Sequence, residues 1–253
     1  MRLRTYYNQG MQASTAKKLQ DLNQRFYSDF GAPFSATRQR VQPGVHKIVA
    51  ELVGDERILD LGCGNGELAR CLAEGRFHGT YTGLDFSLPL LSDASSQPAG
   101  FPALFRQADL TAPDWDQGLA AAEYSLITAF AVLHHIPSLD LRLQILQKVR
   151  RLLAPGGQFI HSNWQFLNSE KLKTRIQPWA AADLSQAEVD EADYLLDWRG
   201  GGSGLRYVHH FSEPELSRLA AATGFRVLHS FLSDGAGGRL GLYQVWEPQE
   251  GQG

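Results

Sequence analysis

From Pro43 onward the apolar residues follow two alternating rhythms, one with the period of a helix and one in short continuous runs typical of buried strands. PGVHKIVAELV (43–53) sets its apolar residues at helical spacing behind a proline suited to a first turn. RILDL (57–61) is a short strand running into a glycine cluster, and ELARCLAEGRF (67–77) is the helix after it. GTYTGLD (79–85), ALFRQADL (103–110), YSLITAF (124–130) and QFIHSNW (158–164) read as four further strands. SLPLLSDASS (87–96) is a short helix, and LDLRLQILQKVRRLL (139–153) is an amphipathic one that PGG stops. Strand and helix in alternation predict parallel strands joined by right-handed crossovers, hence an α/β layered sheet.

After Trp164 the rhythm breaks. Residues 165–205 read as helical with an acidic face (Asp183, Glu188, Asp190, Glu191, Asp193, Asp197), and GGGSG at 200–204 is a flexible stretch. SEPELSRLAAATGF (212–225) is a capped helix ended by glycine; FRVLHSFLS (225–233) and RLGLYQVWEP (239–248) close the chain as two strands. The expected organisation is an N-terminal helical cap (1–42), a core (43–164), a lid insertion (165–205), a return to the core (206–247) and a tail (248–253).

Composition narrows the class. With 253 residues, 43% hydrophobic and 20% charged, the chain can bury a full core, which excludes a disordered polypeptide. No apolar run approaches the roughly 20 residues of a membrane helix. MRLRTYYNQGMQ carries two arginines with no apolar block behind them, so no secretory signal is expected. Cys63 and Cys71 are too few for a disulfide framework, and the cytoplasm is the expected location. Residues 1–50 hold eight Lys/Arg against two Asp/Glu, a net of +6; the remainder holds 16 against 25, a net of −9. Such asymmetry suits a basic docking surface for an anionic partner, or a solvated helix face.

ILDLGCGNGELA (58–69) carries the strongest chemical signal, with Gly62, Gly64 and Gly66 at alternate positions between a strand and a helix. A parallel sheet places that turn at its carboxyl edge, where ligands bind. Glycine lets the backbone turn tightly and a ligand come close to helix N–H groups. A dinucleotide fingerprint would space its glycines as GxGxxG/A, yet the sixth position from Gly62 is Glu67, which would repel a pyrophosphate. No Lys-Ser/Thr pair follows, which excludes a P-loop, and Asp60 suits a cationic ligand. Asp85, 19 residues after Gly66, ends the second strand where a carboxylate can accept from two ribose hydroxyls. Asp109 ends the third, placed for a donor such as an adenine amino group.

These segments carry a family resemblance. DLGCGNG, GLDFS, QADL, AVLHHIP and LLAPGG resemble the successive motifs of class I S-adenosylmethionine-dependent methyltransferases. The resemblance implies a Rossmann-like seven-stranded sheet with helices on both faces and one antiparallel strand, its final hairpin near 225–246. It implies S-adenosylmethionine as donor and S-adenosylhomocysteine as product. Asp60, Gly62, Cys63, Gly64 and Gly66 would then lie against the methionine part, with Asp85 on the ribose and Phe86 also at the cofactor. Asp109 and Leu110 would frame the adenine, and Phe130 and Ala131 would sit near the sulfonium.

A narrower resemblance concerns the acceptor. FYSDFGAPFSATR, AVLHHIPS and RYVHHFSEPELSRLAAATGF are similar to segments of the tRNA wobble-uridine 5-carboxymethyl methyltransferases, which esterify a carboxylate. A carboxylate is already a nucleophile at neutral pH and needs orienting donors, whereas phenols and amines must lose a proton to a base. The resemblance implies Arg38, Trp164, Arg206 and His210 in the acceptor pocket, with the basic N-terminal segment meeting phosphates. Tyr27 and His135 are the further catalytic candidates, and Arg38 suits a bidentate grip on a carboxylate. For the pairs His134/His135 and His209/His210 a structural role is the first reading, and the spacing of Cys, His and Asp offers no zinc pattern. Enzymes of that kind act with a small zinc-binding partner protein, and the need for one stays open here. A small-molecule acid, phenol or amine as acceptor stays open too, as does a cofactor-binding protein of this fold without catalysis.

Overall fold

The computed structural model describes residues 10–36, 41–96, 100–199 and 204–249, with 31–36 described by their backbone alone. A long helix α1 (Ala13–Ala36) precedes α2 (Pro43–Ala50), β1 (Arg57–Leu61), α3 (Glu67–Glu74), β2 (Thr80–Asp85), α4 (Leu88–Ala94) and β3 (Ala103–Gln107). Then come β4 (Tyr124–Phe130), α5 (Leu139–Leu152), β5 (Leu153–Trp164), α6 (Glu170–Lys173), β6 (Ile176–Gln177), β7 (Asp193–Trp198) and β8 (Gly204–His209). The fold closes with α7 (Glu213–Ala222), β9 (Phe225–Ser233) and β10 (Gly241–Pro248).

Seven strands form one sheet in the order β3-β2-β1-β4-β5-β10-β9, parallel except for β10, which runs antiparallel to both neighbours. The expected sheet and final hairpin are both present. Period-2 alternation divides the central strands between two cores. Leu59, Leu61, Ile127 and Phe159 face one core with Leu146, Val149 and Trp246; Ile58, Leu126 and Ile160 face the other with Val45, Ile48 and Leu72. Helices cover both faces, as a parallel sheet requires. Ser212 caps α7 by accepting the Glu215 amide at 3.3 Å.

The segment 165–205 departs from its helical expectation. It holds short turns, the four-residue α6, and two strands that β8 completes into an antiparallel sheet ordered β6-β7-β8. The reason lies in partners distant in sequence. Asp190 and Asp193, read as part of a solvated helix face, are buried, while Leu195 and Leu196 point to opposite sides of β7. Leu195 and Tyr207 pack with Leu19 of α1, and Leu196 and Val208 pack with Phe166. This small sheet runs through His209, past the expected insertion boundary at 205. The helix stop stands: α5 ends at Leu152 with Leu153 as its C-cap, two residues before Pro155, and the proline and glycines lie within the irregular start of β5, where Gly156 takes a φ of 74°. β3 stops at Gln107, so Asp109 and Leu110 lie on the turn after it. Residues 200–203 of the glycine stretch and 250–253 of the tail lie outside the described residues.

Candidate active site

A cavity of about 550 Å³ opens at the carboxyl edge of β1, β2 and β4. Its floor is the loop after β1, where Gly62, Gly64 and Gly66 take φ values of 68°, 55° and 79°, a region that L side chains resist. A Cβ on Gly62 would stand 2.5 Å from Val132 Cγ2, whereas one on Gly64 would meet no atom within 4 Å. Gly62 therefore serves close packing, and Gly64 faces open space. The Gly62 and Cys63 amides both donate to the Leu84 carbonyl, which ties the loop to β2. Gly62, Cys63 and Gly64 line the cavity; Gly66 stands behind them as the N-cap of α3. Glu67 lines the cavity and pairs with Arg70 at 2.7 Å.

Two carboxylates stand beside that loop. Asp85 accepts the Gly64 amide on Oδ2 at 2.9 Å and the Ser87 amide on Oδ1 at 2.8 Å. Burial pushes its carboxyl above the usual range, against the pull of those amides. Asp60 accepts from Tyr81 Oη at 2.5 Å and Thr128 Oγ1 at 2.7 Å. Burial outweighs both hydroxyls and raises it to about 6. A carboxylate so placed is stabilised by a cationic ligand.

Asp109 lines the cavity, but its oxygens already have partners. Oδ2 accepts Gln24 Nε2 at 2.8 Å, and Oδ1 accepts both the amide and the hydroxyl of Thr111. It therefore also fastens α1 across the cavity. Leu110 and Phe86 line the same side, and Phe86 meets Tyr27 edge-on with centroids 5.8 Å apart.

At the other end lie Phe130 and Ala131, the latter at a φ of 58° with its amide donating to the Ser162 carbonyl and hydroxyl. Tyr27 Oη lies 2.9 Å from His135 Nε2, and His135 Nδ1 lies 3.1 Å from the Tyr207 carbonyl. A carbonyl only accepts, so Nδ1 carries a proton; when the ring is neutral, Nε2 accepts from the Tyr27 hydroxyl. His134 has the opposite polarity: its Nδ1 accepts the Trp164 amide at 3.3 Å. Arg206 is 4% exposed, with its guanidinium 4.7 Å from the Trp164 ring and 5.5 Å from that of Phe26. Arg206 and Trp164 both line the cavity.

One expected acceptor residue is not brought there. His210 packs edge-on against Phe166 and is not among the cavity-lining residues. It lies one residue past the end of β8 and four residues beyond Arg206, about 13 Å at strand spacing. Arg38 lies outside the described residues. Asn23, Gln24, Ser162, Asp234 and Tyr243 also line the cavity and were not anticipated. Gln20, Asn23, Gln24 and Tyr27 form a polar stripe at helical spacing, the one signal that could have found the α1 contribution. Asp234 enters through the β9–β10 turn, where it accepts the Gly44 amide at 2.9 Å and the Tyr243 hydroxyl at 2.7 Å.

The family described as "Methyltransferase domain" matches residues 34–230. The chain belongs to the methyltransferase-domain family. A protein of Encephalitozoon cuniculi, provisionally assigned as a methyltransferase, is 31% identical over 207 residues, 81% of this chain and 87% of that one. The tRNA (carboxymethyluridine(34)-5-O)-methyltransferase of Arabidopsis thaliana is 28% identical over 181 residues, 72% of this chain and 39% of that one. Among solved structures, an S-adenosylmethionine-dependent methyltransferase of Methanosarcina mazei superposes with a TM-score of 0.62 at 21% identity, covering 83% of this chain and 99% of that one.

S-adenosylmethionine is the donor of this methyltransferase, and the cavity fits it. The loop at Gly64 leaves room for a ligand, Asp85 supplies a hydroxyl acceptor, and Asp60 offers negative charge to a cation. Among the described residues no helix is long and apolar enough to cross a membrane.

Proposed function

We propose that this methyltransferase esterifies an acceptor carboxylate, with the carboxymethyl group of a tRNA wobble uridine as the favoured acceptor. The observation that carries the reading is Arg206, a buried guanidinium over the Trp164 ring in the cavity wall. Arginine offers a planar fork matched to a carboxylate, and the two aromatic neighbours shield the guanidinium from water. Bound S-adenosylmethionine supplies an electrophilic methyl group on a sulfonium. Transfer to an acceptor oxygen would form a C–O bond and break the C–S bond, leaving that bond's electron pair on sulfur in S-adenosylhomocysteine. Arg206, assisted by Arg38, orients the acceptor; Asp60, Gly62, Cys63, Gly64, Asp85 and Phe86 hold the donor; Phe130 and Ala131 border the transfer point.

The tRNA part rests on likeness to enzymes named for that reaction and on the basic N-terminal segment, of which Arg2, Arg4, Arg38 and Arg40 lie outside the described residues. A second reading, a small-molecule acceptor, is favoured by the Tyr27–His135 pair. A neutral imidazole accepting a phenolic hydroxyl can serve as a base for a phenol or amine. The lid reading of 165–205 is kept for the segment that packs on α1.

Transfer of labelled methyl to purified bulk tRNA, beside a small-molecule extract, tests this. Alkali-labile label on tRNA is expected. Label only in the extract sinks the tRNA acceptor, and alkali-stable label sinks the ester.

A further inference from the structure

Tyr207 stands where two sets of contacts meet. Its hydroxyl accepts Arg142 Nη2 at 2.7 Å and donates to Asp193 Oδ1 at 2.7 Å. Asp193 Oδ1 also meets His209 Nδ1 at 2.7 Å, and its Oδ2 accepts the Asp190 amide at 2.9 Å. His209 Nε2 in turn reaches Glu215 Oε1 at 2.9 Å, and Arg142 Nε donates to the Ile136 carbonyl. The cluster joins α5, β7, β8 and α7; the side chains of Arg142, Asp190, Asp193, Tyr207, His209 and Glu215 do not line the cavity, whereas Ile136 does.

The main chain of Tyr207 serves the site instead. Its amide donates to Asn23 Oδ1 at 2.8 Å. Its carbonyl accepts Asn23 Nδ2 at 3.2 Å and His135 Nδ1 at 3.1 Å. The residue before it is Arg206. One residue therefore links a buried charge cluster to the cap helix, to the histidine beside Tyr27 and to the arginine in the cavity wall.

We propose that Tyr207 is a positioning residue for the acceptor end, its hydroxyl anchoring the main chain that sets the His135 ring and presents Arg206. This rests on the reading that those two side chains face the acceptor. Taking several charges out of water costs several kcal/mol unless geometry and hydrogen bonding are good. Apolar packing would hold β8 without that cost, but it would not fix the direction of one carbonyl. A hydrogen-bonded cluster with defined partners does.

Nitrogen-15 spectra of the histidine rings test the proposal without any acceptor, using S-adenosylhomocysteine as the probe of a folded donor site and His135→Gln to assign the signal. In the wild type His135 is expected as a single Nδ1–H tautomer. In Tyr207→Phe, S-adenosylhomocysteine is expected to bind one per chain within about twofold of wild-type affinity, while the His135 ring averages between tautomers and turnover falls about tenfold or more. An unchanged His135 signal in a variant that binds normally overturns the proposal. Should Tyr207→Phe not bind, Arg142→Lys is read by the same criterion, because it keeps the charge and loses the two-armed contact to Ile136 and Tyr207. Absence of label on tRNA in the wild type would count against the proposed acceptor and leave the ring measurement intact.

Discussion

Asp85 Oδ2 accepts the Gly64 amide at 2.9 Å, so the carboxylate at the end of one strand braces the glycine loop at the end of its neighbour. The same side chain is the expected acceptor for ribose hydroxyls. Asp85→Ala removes both functions. Charge-assisted hydrogen bonds are worth about 1.5–3 kcal/mol, so S-adenosylhomocysteine affinity measured by calorimetry should fall by roughly 10- to 150-fold.

Asp60 predicts a pH dependence of opposite sign for stability and for binding. Its carboxyl moves from 3.8 to about 6 on folding because burial penalises the charged form. Between those values the folded protein holds more protons than the unfolded chain, so stability falls as pH rises through this window and stays lower above it. The cost at neutral pH is on the order of 3 kcal/mol. Asp60→Asn should raise the urea midpoint of the cofactor-free protein at pH 7. Affinity for cationic S-adenosylmethionine should instead weaken as pH drops below about 6, more than affinity for S-adenosylhomocysteine, which lacks the sulfonium charge.

Gly62→Ala meets two obstacles, a φ of 68° and Val132 Cγ2 at 2.5 Å. The left-handed backbone alone costs about 1–2 kcal/mol. Val132→Ala in the same chain should recover the steric part and leave the backbone part. Equal stability of the single and double variants in urea unfolding would show that Val132 is not the obstacle.

Arg206→Lys keeps the charge and gives up the planar guanidinium that lies 4.7 Å from the Trp164 ring centre. Turnover should drop about a hundredfold with S-adenosylhomocysteine binding unchanged, because the interaction lost belongs to the acceptor. Arg38→Ala should likewise spare donor affinity and cut turnover. Unchanged turnover would remove that arginine from the site.

The sequence by itself determined the sheet, the glycine loop and carboxylates that line the cavity, and the family resemblance. Helical spacing and short continuous apolar runs are local properties, and they carried β1, β2, β4, α5 and the final hairpin. Gly62, Gly64, Asp60 and Asp85 were legible because a tight turn between strand and helix must be written in adjacent residues. On the other side of the cavity the sequence named candidates, and the tertiary structure alone decided which of them line the cavity and which side chains meet. Tyr27 meets His135 across 108 positions and Gln24 meets Asp109 across 85, distances over which periodicity carries no information. The acidic run after Asp183 could not be told from a solvated helix, because the partners that bury Asp193 are Arg142, Tyr207 and His209 on other elements. Arg206 entered the cavity wall and His210 did not, though both carried the same expectation. Which of them reaches the site depends on where a strand passes the cavity, and only the packing of β8 between α1 and Phe166 sets that.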